Sequence, residues 1–288
     1  MNGILVINKP LGYTSRDIVN FICKKLNTKK VGHTGTLDPN ASGVLVLCIG
    51  NALKTNEIMD NYDKTYIAEV ILGISTDTLD MDKNATILEE TNVSIDEKEI
   101  IETVKSFKGK YMQQVPIYSA VKVNGKKLYE YARNNIPVDL PSKEVDIKDI
   151  SIVGDIDYTD GKVFFKIQCT VSKGTYIRAL VRDIGKKLGI PAVMNSLIRT
   201  KIGNFNIDNS YSLEDIENDK YSLISVIDAF PDIKTISVND DIAFKVKNGV
   251  ILDKFFEDKM VFIVDKNNIL LALYKNDNDK SRPYKMFI

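Results

Sequence analysis

An apolar run of six residues, Val44 to Ile49, constrains the fold more than any other stretch of this chain. A run so short and so continuously apolar is typical of a buried β-strand. The loop before it, residues 31–43, holds three glycines, the single histidine of the chain and one aspartate, Asp38, followed by a proline. The sequence therefore places a lone carboxylate in a tight loop at the mouth of a buried strand.

Periodicity and turn residues predict a mixture of strands and helices elsewhere. Alternating apolar residues from Val163 to Val171 predict a strand, and apolar residues at helical spacing from Ile177 to Leu188 predict a helix that Gly189 ends. Two more strands are predicted at residues 4–7 and 66–72. Two more helices are predicted at residues 15–26, with Ser15 as N-cap, and at residues 97–108. Asn124-Gly125 predicts a hairpin turn, which a short helix follows. Residues 75–100 are acidic and polar, and outside the predicted helix they are expected to form an exposed excursion.

A change in composition near residue 230 predicts a second domain. The length of 288 residues suits one large domain or two. After AFPD (residues 229–232), short strand-like runs such as MVFIVD and ILLALY are separated by Asp, Asn and Lys turns. We therefore predict a first domain at residues 1–232 and a small β-rich domain at residues 233–288.

The charges are balanced in number but segregated along the chain. There are 39 basic and 39 acidic residues. Residues 105–133 and 173–201 each carry seven basic residues against a single acid, whereas residues 77–102 carry nine acids against Lys83 and Lys98. Charge runs are often solvated faces, but both basic segments also contain tyrosines. We therefore predict that these two segments contact a polyanion.

Several classes of protein are disfavoured by what the sequence lacks. It has no run of about 18 apolar residues that could span a membrane, and its N-terminus does not look like a signal peptide. The three cysteines are far apart and form no CxxC motif, so disulfides and zinc are not expected, and the protein is predicted to be cytoplasmic. One histidine cannot build a multi-histidine metal site, and the nucleotide-binding glycine fingerprints are absent. Carboxylate chemistry without an evident cofactor remains.

Asp38 fits such chemistry. The residue before a proline is pushed to an extended conformation, which would present the Asp38 side chain rigidly. A carboxylate in a tight site needs a cationic partner to stay ionised, and Arg178, one turn into the helix after SKGTY, is a candidate by position. The residues alone leave a second interpretation open, in which Asp38 only braces its own turn.

Five stretches of the chain together resemble one family. Residues 32–45, GHTGTLDPNASGVL, resemble the catalytic loop of the TruB family of pseudouridine synthases, the tRNA pseudouridine-55 synthases. The other four are NGILVINKPLGYTSRDIV (residues 2–19), KTYIAEVILGISTDTLD (64–80), VPIYSAVKVNGKKLYEYAR (115–133) and SKGTYIRALVRDIGKKLG (172–189). The resemblance covers residues 2–203, and the tail KSRPYKMFI resembles the end of the family's PUA-like domain.

The resemblance implies both a fold and a reaction. The fold is α+β: a pseudouridine synthase catalytic domain around a mixed, largely antiparallel sheet, then a small C-terminal β-rich PUA-like domain that binds RNA. Such enzymes isomerise uridine to pseudouridine in the T-loop of tRNA without cofactor or metal. The N-glycosidic bond breaks, the uracil rotates, and C5 joins the ribose, after the base has been flipped out of the loop. The expected partner is the T-arm of tRNA, and the family suggests a monomer with no obligatory protein partner.

Three residues match the catalytic positions of the family. Asp38 matches the catalytic aspartate, a nucleophile toward the sugar or the base. Tyr66 matches the tyrosine that stacks on the flipped base and is implicated in proton transfer at C5. Arg178 matches the arginine that pairs with the aspartate.

Three further residues match positions that bind the substrate. Tyr176 matches a second tyrosine of the pocket, Leu197 an apolar residue near the base, and His33 a histidine that helps to recognise and open the T-loop. Taken singly, each residue also has a structural interpretation, such as a core leucine or a histidine bound to its own turn. Their joint occurrence in the right order favours the roles in the site.

Two other functions stay open. An RNA-binding or RNA-folding protein whose catalysis is secondary would keep its cellular function without the Asp38 carboxylate. A synthase for another RNA is the other alternative, although related rRNA enzymes usually carry a GRLDxxTSG-type loop and relatives that use guide RNAs typically carry added segments. The chain departs from the family at Ile117, where many members have a second proline, and at Ile198, where an arginine is frequent. Both departures concern RNA contacts rather than the proposed chemistry.

Overall fold

The structure is a computed structural model that describes residues 1–82 and 85–288, so that Lys83 of the acidic segment lies outside the described residues. Its strands are β1 (Gly3–Lys9), β2 (Val31–Thr34), β3 (Ala41–Ile49), β4 (Lys64–Leu72), β5 (Ile74–Thr76), β6 (Ile87–Glu90), β7 (Gly109–Gln114), β8 (Lys122–Val123), β9 (Lys126–Lys127), β10 (Ser142–Thr159), β11 (Lys162–Val171), β12 (Ala192–Ile202), β13 (Phe205–Asn206), β14 (Thr235–Ser237), β15 (Leu252–Asp253), β16 (Met260–Val264), β17 (Leu270–Asp277) and β18 (Lys280–Met286). Its α-helices are α1 (Ser15–Lys25), α2 (Asn56–Met59), α3 (Glu97–Lys105), α4 (Leu128–Arg133), α5 (Ile177–Leu188), α6 (Leu213–Glu217) and α7 (Asp240–Lys247), and short 3-10 helices span Gly50–Thr55 and Ile207–Asn209. None of the helices in the two described ranges is long and apolar enough to cross a membrane.

One large sheet organises the first part of the chain. Its strand order is β1-β3-β12-β4-β11-β10-β7, with β2 beside β3 and β13 beside β12. Within the described residues of this sheet, β3 and β12 are the parallel pair, and the other neighbours are antiparallel. The predicted α+β fold around a mixed, largely antiparallel sheet is confirmed.

Strand β3 explains why the run from Val44 to Ile49 is continuously apolar. Its residues belong alternately to two apolar clusters, one on each face of the sheet. Val44, Val46 and Cys48 lie in one cluster, and Leu45, Leu47 and Ile49 lie in the other, beneath α1. Because both faces of the strand are covered, neither face needs polar residues.

Helix α1 begins at Ser15, but its N-cap lies one residue before the predicted one. Thr14, not Ser15, is the N-cap: its hydroxyl accepts a hydrogen bond from the Asp17 amide, and the Asp17 carboxylate accepts one from the Thr14 amide. This reciprocal arrangement is a capping box. It leaves the hydroxyl of Ser15 free to bind Leu37, 22 residues further along the chain.

Helices α3 and α5 cover one face of the sheet over strands β4, β10, β11 and β12. There, Ile100 and Val104 of α3 pack with Leu180 and Ile184 of α5. The predicted helix from Ile177 is confirmed, and Gly189 ends it with a left-handed backbone (φ 69°). The helix predicted at residues 97–108 ends earlier, at Lys105.

The acidic stretch at residues 75–100 is not wholly exposed. Thr76 and Asp80 are 1% and 5% exposed, and the Thr76 hydroxyl donates to the Asp80 carbonyl. Asp80 also forms a bridge to Met194 of β12. Charge composition predicted exposure here, but this turn folds back against the main sheet.

A second sheet, in the order β14-β16-β17-β18-β15, forms the predicted β-rich C-terminal part, with α7 packed against β17. Phe262 and Leu273 of this sheet share an apolar cluster with Val46 of β3. An ion pair of 2.6 Å between Lys285 and Glu57 also joins the two parts. The boundary between residues 232 and 233 stays a prediction, since this apolar cluster is continuous across it.

Candidate active site

A cavity of about 500 Å³ opens beside the loop of residues 35–43, which carries Asp38 and is called the Asp38 loop below. Five of the six predicted site residues line it: Asp38, Tyr66, Tyr176, Arg178 and Leu197. They come from the Asp38 loop, β4, the start of α5 and β12. Tyr118 and Tyr129 add two more aromatic walls. A cavity with aromatic and apolar walls and one carboxylate suits a planar base.

Asp38 and Arg178 form an ion pair at the wall of this cavity. Arg178 Nη2 lies 3.1 Å from Asp38 Oδ2, and the two side chains are 11% and 53% exposed. The guanidinium is held from behind, because Nη1 donates to the carbonyl of Thr78 at 3.0 Å and Nη2 to that of Tyr118 at 3.3 Å. Arg178 is therefore fixed within the protein, while the carboxylate it holds stays open to the cavity.

Hydrogen bonds between three pairs of residues hold the Asp38 loop in place. Two pairs connect the loop to residues 12–15, and the third pair lies within the loop. The Leu37 amide donates to Ser15 Oγ at 2.9 Å, and Ser15 Oγ donates to the Leu37 carbonyl at 3.2 Å. The Gly12 amide donates to the Pro39 carbonyl at 2.9 Å, and the Ala41 amide donates to the Asp38 carbonyl at 3.0 Å. The residue before Asp38 is thus tied to Ser15, the first residue of α1, and the residue after Asp38 to Gly12, just before α1.

A buried glutamine sets the start of α5. Gln113 is fully buried; it accepts a hydrogen bond from the Tyr176 amide at 2.8 Å and donates to the Tyr176 carbonyl at 3.1 Å. The same side-chain nitrogen donates to the Tyr111 hydroxyl, which donates to Asp183. Gln113 therefore fixes Tyr176, and with it the first turn of α5 that carries Arg178.

Strand pairing places Tyr66 and Leu197 on the cavity. Leu197 of β12 lies opposite Ala68 of β4 and opposite Ala41 at the end of the Asp38 loop. Tyr66 lies opposite Arg199, two residues further along β12. The two side chains are 9% and 8% exposed, so they form the floor rather than the rim.

Asp80 is a second carboxylate whose charge interacts with Arg178. Burial raises its pKa to about 6, while the charge of Arg178 acts in the opposite direction. A carboxyl with such a pKa changes charge just below neutral pH. Asp80 was not predicted as a site residue, because the acidic stretch around it indicated exposure.

His33 is the one of the six predicted residues that does not line the cavity. It lies in β2 opposite Leu47 of β3 and is half-buried, and its Nδ1 has no hydrogen-bond partner among the described residues. Burial and the nearby charges of Arg16 and Arg199 lower the pKa of His33, which keeps its imidazole neutral near pH 7. Its contact with the T-loop stays a prediction.

Three cations lie buried behind the Asp38 loop. Lys9, Lys64 and Arg199 are 0%, 7% and 1% exposed. Burial lowers the pKa of both lysines to about 8. The prediction that the basic residues of segment 173–201 contact RNA stays a prediction; Arg199 is only 1% exposed, at the wall of the second cavity described below. Arg178 is already engaged with Asp38, so it also differs from a free surface cation.

A second cavity of about 360 Å³ adjoins the first and shares with it Thr36, Tyr66, Thr175 and Tyr176. Lys173 lines it and is exposed, with Nζ 3.9 Å from the Asp60 carboxylate. Among residues 1–82 and 85–288 no group of three His, Cys, Asp or Glu side chains is arranged to hold a metal ion. The arrangement offers a carboxylate, an arginine and tyrosines around a base-sized space, with cationic side chains at the edge.

Sequence reasoning missed the residues that support the site. Ser15 was interpreted as a cap, Arg199 as a surface cation, and Gln113 was not singled out. Their side chains act over separations of 22 to 164 residues, so no local pattern marks them. Ser15 does lie within the stretch at residues 2–19 that resembles the family, which is a signal that could have been followed.

Two family profiles match the chain in succession. The profile of TruB family pseudouridylate synthase (N terminal domain) matches residues 23–177, and that of the tRNA pseudouridylate synthase B C-terminal domain matches residues 178–228. A crystal structure of a Cbf5-Nop10-Gar1 complex has a similar fold, with a TM-score of 0.72 at 23% identity over 99% of this chain and 85% of that chain.

Curated relatives called tRNA pseudouridine synthase B match over nearly their full length. The protein from Bacillus subtilis (strain 168) is 43% identical over 259 residues, which cover 88% of this chain and 84% of the relative. That from Caldanaerobacter subterraneus subsp. tengcongensis is 41% identical over 290 residues, which cover 100% and 99%. The chain belongs to the TruB family of pseudouridylate synthases.

Proposed function

We propose that this chain isomerises uridine to pseudouridine at position 55, in the T-loop of tRNA, with Asp38, Tyr66 and Arg178 as its catalytic residues. The observation that carries the proposal is the ion pair of 3.1 Å between Asp38 and Arg178 at a cavity lined by tyrosines. A partly exposed carboxylate held by a largely buried arginine is what a nucleophile toward a flipped nucleotide needs.

The reaction conserves every atom of the uridine. The bond between ribose C1′ and uracil N1 breaks, the uracil rotates, and a bond between C1′ and C5 forms. C5 loses its proton and N1 gains one, so that no oxidant, metal or cofactor is required. Asp38 acts as the nucleophile toward the sugar or the base. Arg178 keeps the carboxylate ionised and oriented, because a positive charge beside a carboxylate favours its charged form.

The tyrosines and the apolar floor hold the base while it is detached. Tyr66 stacks on the uracil and takes part in the proton transfer at C5. Tyr176 forms a second wall, and Lys143 lies 4.9 Å from the centre of its ring, which adds a cation over the aromatic face. Leu197 contacts the base from below. A base inside this cavity must leave the stacked T-loop, so binding includes base flipping.

The proposed partner is the T-arm of tRNA, and His33 contacts the T-loop beside the cavity. Lys173 and Lys201 are exposed and belong to a basic segment, so they are suited to phosphates. We further propose that the protein works as a monomer in the cytoplasm without an obligatory protein partner. The C-terminal β-rich part adds RNA contacts.

Tritium release from tRNA that carries 5-tritiated uridine tests the function. The unsubstituted protein is expected to release tritium from a tRNA with uridine at position 55 and none from the same tRNA with cytidine there. Asp38→Asn is expected to bind this tRNA with unchanged affinity and to release none. Asp241→Asn, an exposed carboxylate of α7, is the matched control and is expected to release tritium at the unsubstituted rate.

Two results would overturn the proposal in different ways. Release by Asp38→Asn at more than about one-hundredth of the normal rate would remove Asp38 from the chemistry, since losing a nucleophile costs far more. Binding of tRNA with no release by the unsubstituted protein would favour an RNA-binding role or another RNA substrate.

A further inference from the structure

Arg199 is the largest side chain that is fully buried in the described part of the chain. None of the carboxylates in residues 1–82 and 85–288 forms an ion pair with it, and its charged neighbours Lys9 and Lys64 are also cations. A buried guanidinium without a carboxylate is costly, because its charge loses the solvation by water. Its hydrogen bonds must therefore hold it in place.

All the hydrogen bonds of the Arg199 side chain go to main-chain carbonyls around the Asp38 loop. Nη2 donates to Gly35 at 2.7 Å, Nη1 to Thr36 at 3.4 Å, and Nε to Val44 at 2.8 Å. Gly35 and Thr36 come before Asp38, and Val44 comes after it. One planar guanidinium thus joins the two ends of the loop that presents the carboxylate.

The backbone of Arg199 fixes the same loop a second time. Arg199 pairs with Gly43, the last residue of the Asp38 loop, and with Tyr66 on the other neighbouring strand. Gly43 has a positive φ of 103°, and a Cβ there would lie 2.2 Å from the Arg199 carbonyl oxygen. The contact is so close that only glycine fits. Arg199 thus sets the distance between the Asp38 loop and the strand of Tyr66.

We infer that Arg199 is a positioning residue: it does not touch the RNA, and it fixes the Asp38 loop so that Asp38 meets both Arg178 and the base stacked on Tyr66. The inference rests on the proposed function for its kinetic readout. Lysine cannot replace this arginine, because an ammonium is a point charge and lacks the planar fork that reaches three carbonyls in different directions.

The test compares Arg199→Lys with a control that loses a buried cation elsewhere. Lys162 is 9% exposed, donates to the carbonyl of Thr91 at 3.0 Å, and lies outside both cavities described above. For each protein we would measure the tritium-release rate in a single turnover at saturating tRNA, the Kd for tRNA, the Tm, and amide hydrogen exchange of residues 35–43.

Arg199→Lys is expected to lower the single-turnover rate about 10-fold to 100-fold, as a misplacement of about 1 Å does. Its Kd for tRNA should stay within about twofold, since the Arg199 side chain lies at the wall of the second cavity with only 1% of its surface exposed and its guanidinium nitrogens are bonded to carbonyls of the protein. Exchange in residues 35–43 should rise. Lys162→Met should lower the Tm while the rate and the exchange of residues 35–43 stay unchanged.

Three results would overturn the inference. A normal rate in Arg199→Lys, with only a lower Tm, would make Arg199 a plain stability residue. A weaker Kd with a normal rate would make it part of RNA binding. Unchanged exchange of residues 35–43 would show that Arg199 does not fix the loop, and this readout holds even if the unsubstituted protein releases no tritium.

Discussion

The two sides of the Asp38 loop each meet an arginine, and the two arginines have different partners. On the cavity side, Arg178 contacts the carboxylate of Asp38 itself. On the buried side, Arg199 contacts main-chain carbonyls at the two ends of the loop. A guanidinium beside a carboxylate sets its charge and orientation, whereas a guanidinium beside carbonyls sets only the path of the chain. The same residue type thus performs an electrostatic role on one side and a geometric role on the other.

Of the variants described below, Arg178→Lys should show the largest fall in the single-turnover rate. The ammonium cannot bridge Asp38 and the carbonyls of Thr78 and Tyr118 together, so the carboxylate loses its fixed donor. We expect the single-turnover rate to fall about 10²-fold to 10³-fold, the usual loss for a preorganised charged contact. This fall should exceed that of Arg199→Lys, because Arg178 directly contacts Asp38, the proposed nucleophile.

Arg182→Lys is the matched control, since Arg182 lies one turn further along α5 and pairs with Asp183 instead of Asp38. Its rate should stay within a few-fold of normal. Equal losses in Arg178→Lys and Arg182→Lys would mean that α5, and not the ion pair with Asp38, limits the reaction.

Replacing Ser15 by alanine tests the positioning of the Asp38 loop at its middle, next to Asp38, instead of at the ends that Arg199 contacts. The variant removes both hydrogen bonds between the Ser15 hydroxyl and Leu37, next to Asp38. We expect about 1 kcal/mol of lost stability and a fall of about 10-fold in the single-turnover rate, by the same argument from misplacement.

The Thr14→Ala variant separates the loss of stability from the fall in the single-turnover rate. Thr14 caps α1, and losing a cap costs about 1 kcal/mol, but Thr14 makes no hydrogen bond to the Asp38 loop in the described structure. Thermal unfolding should show similar Tm losses for the two variants. If Thr14→Ala slows the reaction as much as Ser15→Ala does, general stability and not the hold on Leu37 explains the rate.

The comparison also separates what could be predicted from the sequence from what could not. The apolar run of β3, the start and end of α5 and the turn at Asn124-Gly125 are local patterns, and the structure confirms them. The pairing of Asp38 with Arg178 was predicted from the position of the arginine after SKGTY and from the family resemblance. Each of these signals is contained within one short stretch of chain.

Arg199 is more deeply buried than its basic segment indicates, for a physical reason. In the sequence it is one of seven basic residues in a segment with one acid, so charge counting indicates a surface cation. Its burial depends on the parallel pairing of β12 with β3, which lie more than 140 residues apart. The bonds that replace its solvation come from carbonyls, which every residue has, so no side-chain pattern reveals them.

The pH dependence of the reaction should test the electrostatic role of Arg178. The pKa of Asp80 is raised to about 6, so as the pH falls through this value its carboxyl gains a proton and its electrostatic attraction to Arg178 is lost. We expect the single-turnover rate at saturating tRNA to fall several-fold between pH 7.5 and pH 5.5, because an Arg178 that Asp80 no longer attracts is held less firmly beside Asp38. Asp80→Asn, which mimics the protonated form, should lack this step and show the lower rate throughout.

Single-turnover rates measured from pH 5.5 to pH 7.5 at constant ionic strength show whether Asp80 is the group that titrates. If the Asp80→Asn variant keeps the same pH step as the unsubstituted protein, another group titrates. The Arg199→Lys variant should retain the step, because it disturbs the path of the loop and leaves the charges around Arg178 in place.

The smallest expected effect is on the salt dependence of tRNA binding. It concerns exposed basic residues rather than the two arginines of the site. Lys173 lies at the cavity next to the base site, and its ion pair with Asp60 is long, at 3.9 Å. It is therefore available to a phosphate, and Lys173→Gln should weaken tRNA binding and lower the slope of log Kd against log salt by about 1. The rate at saturating tRNA should not change.

Lys108→Gln is the control from the other basic segment. Lys108 Nζ already lies 2.7 Å from Asp149, so its charge is largely neutralised within the protein. Its loss should leave the salt slope unchanged, because only a cation that displaces counterions from the RNA contributes to that slope. Equal slopes for the unsubstituted protein and Lys173→Gln would remove Lys173 from the RNA interface. We therefore expect RNA contacts from the basic residues that the protein's own carboxylates hold least tightly, as the 3.9 Å pair of Lys173 compared with the 2.7 Å pair of Lys108 illustrates.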